Sequence, residues 1–109
     1  MNLEPFVGIP YEGRHFCRVF AGRVLAAHGI SLPHVVKPER ADGWRRVERP
    51  LPLDVVVFRT AGVPDHVGVC IGRGRFLHVE DGARSRIEYL SSPLWEARIE
   101  GYYRCMESR

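Results

Sequence analysis

Residues 66–79 read HVGVCIGRGRFLHV, two apolar runs separated by Gly72-Arg73-Gly74-Arg75. Strand alternation sets His66, Gly68 and Cys70 on one face of the first run, and Val67, Val69 and Ile71 on the other. Gly72 and Gly74 can supply the positive φ angles of a tight turn, so 76–79 folds back antiparallel. A turn near 73 and 74 pairs His78 roughly with residue 69, about one cross-strand step from His66. Gly68 then leaves room beside His66 for a packed helix or a substrate. The reading hinges on register, because a slip of one residue reverses a face.

Outward from this hairpin, Asp54 opens a β-branched run at 55–59 bounded by Ala61-Gly62. Downstream, 86–89 reads as a fourth strand. Ser91-Ser92-Pro93 caps a short helix through about Ala97, and 99–105 returns as a last strand. Upstream, Cys17, Phe20, Ala21, Val24, Leu25 and His28 recur at three- and four-residue spacing, a helix ending at Gly29 with Pro33 beyond. Residues 1–15 are irregular. Residues 33–52, carrying Pro33, Pro38, Gly43, Pro50 and Pro52, read as a surface connection that Trp44 tacks to the core. A helix followed by an antiparallel meander is an α+β arrangement.

The chain's 109 residues make one domain, 1–109, because a single core commonly spans about 100 to 150 residues. With 45% hydrophobic and 27% charged residues, the composition is that of an ordinary globular protein. No apolar run approaches the length of a membrane-spanning helix, so membrane insertion is not expected. The start MNLEPFVGIP lacks a basic stretch followed by a continuous apolar segment, so a secretory signal is not expected there. The formal charge of +3 comes from 16 basic residues, of which Lys37 is the lone lysine. The modest cluster Arg40, Arg45, Arg46 and Arg49 is a solvated loop or an anion-binding surface; nothing in it specifies nucleic acid. Three cysteines without a C-x-x-C spacing exclude a disulfide framework and a structural zinc site, and leave one thiol to be reactive.

Cys17 opens the helix, where unsatisfied backbone N–H groups favour a thiolate and can stabilise an oxyanion. Thiolate chemistry also needs a histidine base and a group that orients it, and His66 and His78 on neighbouring strands supply candidates. Singly, each has a plainer reading: Cys17 as a small buried hydrophobe, His66 as a loop residue, His78 as a satisfied core histidine. In this order and spacing, the three together are much less expected by chance.

The run 66–79 resembles the histidine strand of the NlpC/P60 cell-wall peptidases, papain-like cysteine enzymes that read His-Val-Gly-Ile-x-x-Gly-x-Gly-x-x-(Ile/Leu)-His-Ala. Residues 52–58, PLDVVVF, look like that family's Pro-Gly-Asp-(Leu/Val)-Val-x-Phe strand. Gly8-Ile9-Pro10-Tyr11 is similar to its Gly-x-Pro-Tyr opening, and Cys17 falls where its Asp-Cys-Ser-Gly-Leu-Val helix begins. The closing SSPLWEARIEGYYR resembles phage-associated members.

The resemblance implies a papain-like fold, a Cys17 nucleophile, a His66 base, an orienting His78, and Tyr11 near the substrate carbonyl or oxyanion. It implies hydrolysis of stem-peptide amides, of the D-glutamate–diamino acid type, through a Cys17 thioester, with neither metal nor cofactor. A monomer is expected, made in the cytoplasm and carried to the wall within a phage-like particle, with phage tail proteins as partners. Departures from the pattern are Phe16 in place of Asp, Arg18-Val19 in place of Ser-Gly, and a shortened loop after Tyr11 that includes His15. They keep two alternatives in view: an inactive tail or wall-binding module of the same fold, and an amidase or acyltransferase on another substrate. Cys70 reads as core packing and Cys105 as incidental.

Overall fold

A computed structural model describes residues 2–33 and 43–106. One helix, α1 (Phe16–Ala26), precedes six strands: β1 (Trp44–Val47), β2 (Val55–Thr60), β3 (Val63–Gly72), β4 (Arg75–His78), β5 (Arg86–Tyr89) and β6 (Ile99–Cys105). They form one antiparallel sheet in the order β1-β6-β2-β3-β4-β5. The fold is α+β, with the last strand inserted beside β2 near the sheet's centre.

Each face of the sheet carries its own apolar layer. On one face α1 buries Phe16, Phe20, Ala21, Val24 and Leu25 against Val55, Val57, Val67, Val69, Ile71 and Leu77. The i, i+4, i+8 spacing of Phe16, Phe20 and Val24 makes this one stripe of the helix. On the other face Val56, Phe58, Cys70, Phe76, Leu90 and Trp95 form a second, aromatic layer. β2 feeds both layers, which is why 55–58 is apolar without alternation and wholly buried.

α1 ends as the glycine signal predicts: Gly29 takes φ 80° while Ile30 N–H bonds back to Leu25 O at 3.0 Å. Its start is less conventional, since His15 at the N-cap is left-handed, φ 56°, and offers no side-chain cap.

Two expected elements differ. The surface connection 33–52 contains strand β1, whose Trp44 is buried in the helix-side core and pairs opposite Cys105. Pairing with β6 satisfies backbone groups that a proline-rich reading had left to solvent. Residues 34–42, including Lys37 and Arg40, lie outside the described residues. The short helix expected at 93–97 is instead a 3-10 turn at Glu96–Arg98. Its brevity follows from β6 starting at the next residue.

Asp54 anchors the chain entering β2. It is buried, accepts the Leu51 N–H at 2.7 Å, and pairs with Arg104 of β6 at 2.8 Å. Cys70 lies fully buried in the aromatic layer, where desolvation pushes its thiol far above the usual range. Cys105 is half-buried against the helix-side core.

Candidate active site

The β3–β4 hairpin turns through Arg73 (φ 56°) and Gly74 (φ 70°), both left-handed, as a two-residue turn matched to strand twist requires. Its register differs from the expected one. Val69 pairs with Leu77 and Cys70 with Phe76, and a bulge between Cys70 and Gly72 shifts the pairing by one before the turn. His78 consequently falls on the same face as His66. Pairing His78 with residue 69 would have sent the two rings to opposite faces.

That shared face is the aromatic one. The His66 ring stacks on Trp95 (5.5 Å between centroids) and lies beside Phe58 (5.6 Å). His78 contacts Phe76 at 4.5 Å and meets Trp95 edge-on at 4.8 Å. α1 covers Val67, Val69 and Ile71 on the opposite face of β3, while both rings pack in the aromatic layer and His66 also reaches the cleft beside the start of α1. Gly68 leaves space neither for a helix nor for a substrate. A Cβ there would sit 2.9 Å from the Phe76 ring and 3.3 Å from Val56, so the missing side chain lets the aromatic layer close under His78.

Within this layer a polar chain runs across three strands. His66 Nε2 lies 2.8 Å from His78 Nδ1, and His78 Nε2 lies 2.5 Å from Glu88 Oε2 on β5. Arg86 then joins Glu88 at 3.1 Å and also contacts Glu80. Burial among aromatic rings, reinforced by His78 and Arg98, drives the His66 pKa down to about 3. Burial also lowers that of His78, against the opposing pull of Glu88. Partial burial alone would raise Glu88, but the His78 hydrogen bond, the Trp95 indole and Arg86 hold it below the usual carboxylate range. Among the described residues the buried Trp95 Nε1–H has no partner at hydrogen-bond distance, so its effect on Glu88 is that of a nearby dipole. At neutral pH both histidines are thus neutral and Glu88 is ionised.

Cys17 is the second residue of α1 and half-buried. It approaches β3 one residue past His66, with the backbone N–H groups of Val67 and Arg18 directed at its sulfur. Burial raises the thiol pKa; those N–H groups and the Arg18 charge offset the rise in part, and Asp65 adds to it. The helix start does not yield a resting thiolate here. None of the side-chain hydrogen bonds among the described residues joins Cys17 to His66. The two elements meet instead at a cleft of about 330 Å³, lined by His15 and Arg18 from the start of α1, Val57 from β2, and Pro64, Asp65, His66 and Val67 from β3. Arg18 also donates to the Pro33 carbonyl.

Tyr11 holds the start of α1. Its hydroxyl accepts the Phe16 N–H at 3.1 Å and its ring packs edge-on against Phe16. Phe16, at the position of the family's acidic residue, is buried and belongs to the helix-side core.

Glu88 and Trp95 escaped the sequence reading. Strand 86–89 carries the missed signal: its apolar residues Ile87 and Tyr89 point to solvent while Glu88 points inward. A strand whose polar side faces the core has something polar to meet there. His78, Glu80 and Glu88 place three donor atoms within 4.8 Å, close enough for a metal ion. Arg86 already touches both carboxylates, however, and His66 engages the other His78 nitrogen, so the charge a cation would balance is balanced by the chain itself.

The NlpC/P60 family model matches residues 11–104. Among solved structures, a "similar to lipoprotein" NLP/P60 family protein of Staphylococcus aureus superposes with a TM-score of 0.75 at 23% identity. The match covers 97% of this chain and 39% of that one. An NlpC/P60 family protein of Bacillus cereus gives 0.78 at 24% identity, covering 95% of this chain and 38% of that one. The NlpC/p60 domain of the peptidoglycan hydrolase SagA gives 0.65 at 19% identity, covering 91% of this chain and 89% of that one. The chain thus spans about two-fifths of the Staphylococcus and Bacillus proteins. No curated protein sequence matches it.

Proposed function

The chain belongs to the NlpC/P60 family, and from that premise we propose that it is a cysteine peptidase cutting amide bonds in peptidoglycan stem peptides, of the D-glutamate–diamino acid type. The observation that carries this reading is His66, hydrogen-bonded to the buried His78, lining a cleft together with His15 and Arg18, which lie on either side of Cys17 in the sequence. The named activity of a structural neighbour, a peptidoglycan hydrolase, agrees with it.

In the proposed reaction Cys17 Sγ attacks the substrate carbonyl while its proton passes to His66, whose ring is unprotonated at neutral pH. The resting pair is a neutral thiol and a neutral imidazole, so proton transfer accompanies attack. Substrate must draw Cys17 and His66 together, as catalytic hydrogen bonds often tighten only in the bound complex. The Tyr11 hydroxyl accepts from Phe16 N–H and keeps its own proton for the oxyanion. His66 returns its proton to the departing amine, and water then hydrolyses the Cys17 thioester.

The test is incubation with muropeptides, with products followed by mass spectrometry and Cys17→Ala as control. Cleavage by the parent and none by the variant is expected. Cleavage persisting in the variant removes Cys17 as nucleophile. No cleavage by the parent, with Cys17 unreactive toward a thiol probe, turns the reading to a binding module of the same fold.

A further inference from the structure

Three strands each contribute one member of a hydrogen-bonded chain: His66 from β3, His78 from β4 and Glu88 from β5. Its middle member has a fully buried side chain, and the side chain at its far end is about one-fifth exposed. Alternation along β5 turns Glu88 inward opposite Phe76, so the carboxylate meets the far nitrogen of His78 from the neighbouring strand. Arg86, opposite His78 on β5, holds the same carboxylate at 3.1 Å.

The protons in this chain can be counted. An ionised carboxylate only accepts, so the 2.5 Å contact requires His78 to carry its proton on Nε2. A neutral imidazole has one N–H, which leaves His78 Nδ1 as an acceptor. The 2.8 Å contact then requires His66 to donate from Nε2. His66 Nδ1 is left with its lone pair free.

We propose that Glu88 is a positioning residue of this site: through His78 it locks His66 in the tautomer whose unprotonated Nδ1 takes the Cys17 proton. The proposal deepens the peptidase reading and rests on it for the identity of the proton donor. Glu88 touches neither substrate nor thiol. Its work is to fix one of the two His66 tautomers and to place a negative charge two hydrogen bonds away from the imidazolium formed during attack. When the thiol proton arrives at Nδ1, His66 carries both protons, and its Nε2–H remains bonded to His78. No proton needs to leave the pair until the amine departs. Arg86 keeps Glu88 ionised and in place, and the aromatic layer excludes the water that would otherwise compete for His78.

The test is the nitrogen NMR of the histidine rings at pH 7, which distinguishes protonated from unprotonated ring nitrogens, combined with muropeptide cleavage. In the parent protein His66 and His78 are both expected to carry their protons on Nε2, a result needing no variant. Glu88→Ala removes the acceptor and should leave both rings as tautomer mixtures, with cleavage about 10- to 100-fold slower. Glu88→Gln can accept the same Nε2–H through its amide oxygen, and should restore the tautomers and part of the rate. A parent His66 protonated on Nδ1 overturns the proposal. So does a Glu88→Ala protein with unchanged tautomers and unchanged cleavage. A parent that shows the stated tautomers but cuts no muropeptide overturns the peptidase reading and leaves the positioning role of Glu88 standing.

Discussion

Acidification should unfold this domain earlier than carboxylate titration alone requires, and His66 is the reason. Its ring lies against Trp95 and Phe58, beside His78 and within the field of Arg98, and its pKa falls to about 3. In the unfolded chain the same ring titrates near 6.5. Between pH 6.5 and 3 the unfolded state therefore holds a proton that the folded state refuses. Stability rises with pH across that window and is lost as pH falls through it. One proton is worth about 1.4 kcal/mol per pH unit, so two units, from 6.5 to 4.5, set a ceiling near 2.7 kcal/mol. Because His66 is only partly buried, solvent screening reduces this to about 1–2 kcal/mol. That is a sizeable share of the roughly 5–15 kcal/mol typical of a domain.

The assay is urea unfolding of the parent and His66→Gln at several pH values between 7 and 4.5. Glutamine cannot protonate, and the carboxylates common to both proteins cancel in the difference. The parent should lose about 1–2 kcal/mol more than the variant over that range. Parallel losses in the two proteins would refute the argument that the aromatic layer holds His66 neutral.

Two further outcomes follow from the same packing. Gly68→Ala should destabilise the domain by about 1–3 kcal/mol in urea or thermal unfolding, because the new methyl group meets the buried Phe76 ring at 2.9 Å and Val56 at 3.3 Å. An unchanged midpoint would mean that the aromatic layer yields freely. Alkylation of Cys17 by iodoacetamide should quicken steadily up to and beyond pH 9 without levelling off near neutrality, since burial raises the thiol pKa; Arg18→Gln should slow it further at any given pH by removing a charge that opposes the rise.

Much of this architecture is local and hence legible in the chain. The helix stripe from Phe16 to Leu25 obeys a 3.6-residue period, strands β2 and β5 come from β-branched or alternating runs bounded by turn residues, and the β3–β4 turn is announced by Gly72 and Gly74. β1 was hidden because its pairing partner lies 55 to 61 residues away, and a Pro-rich flank masks a four-residue strand. Residues 66–79 alone carried both histidines and their adjacency, and Cys17 stood out by type and by its place at a helix start.

The bulge between Cys70 and Gly72 lay beyond sequence reasoning, since a one-residue offset depends on how two strands pack rather than on either strand's composition. That offset puts His78 on the face of His66, on the side of the sheet away from α1, and brings both under Trp95. It also lets Glu88, from a strand whose apolar residues face solvent, complete the chain of hydrogen bonds. Residue types and spacing along the chain determined which groups could perform the chemistry. Long-range register, which no local preference encodes, decided which nitrogen of His66 carries its proton.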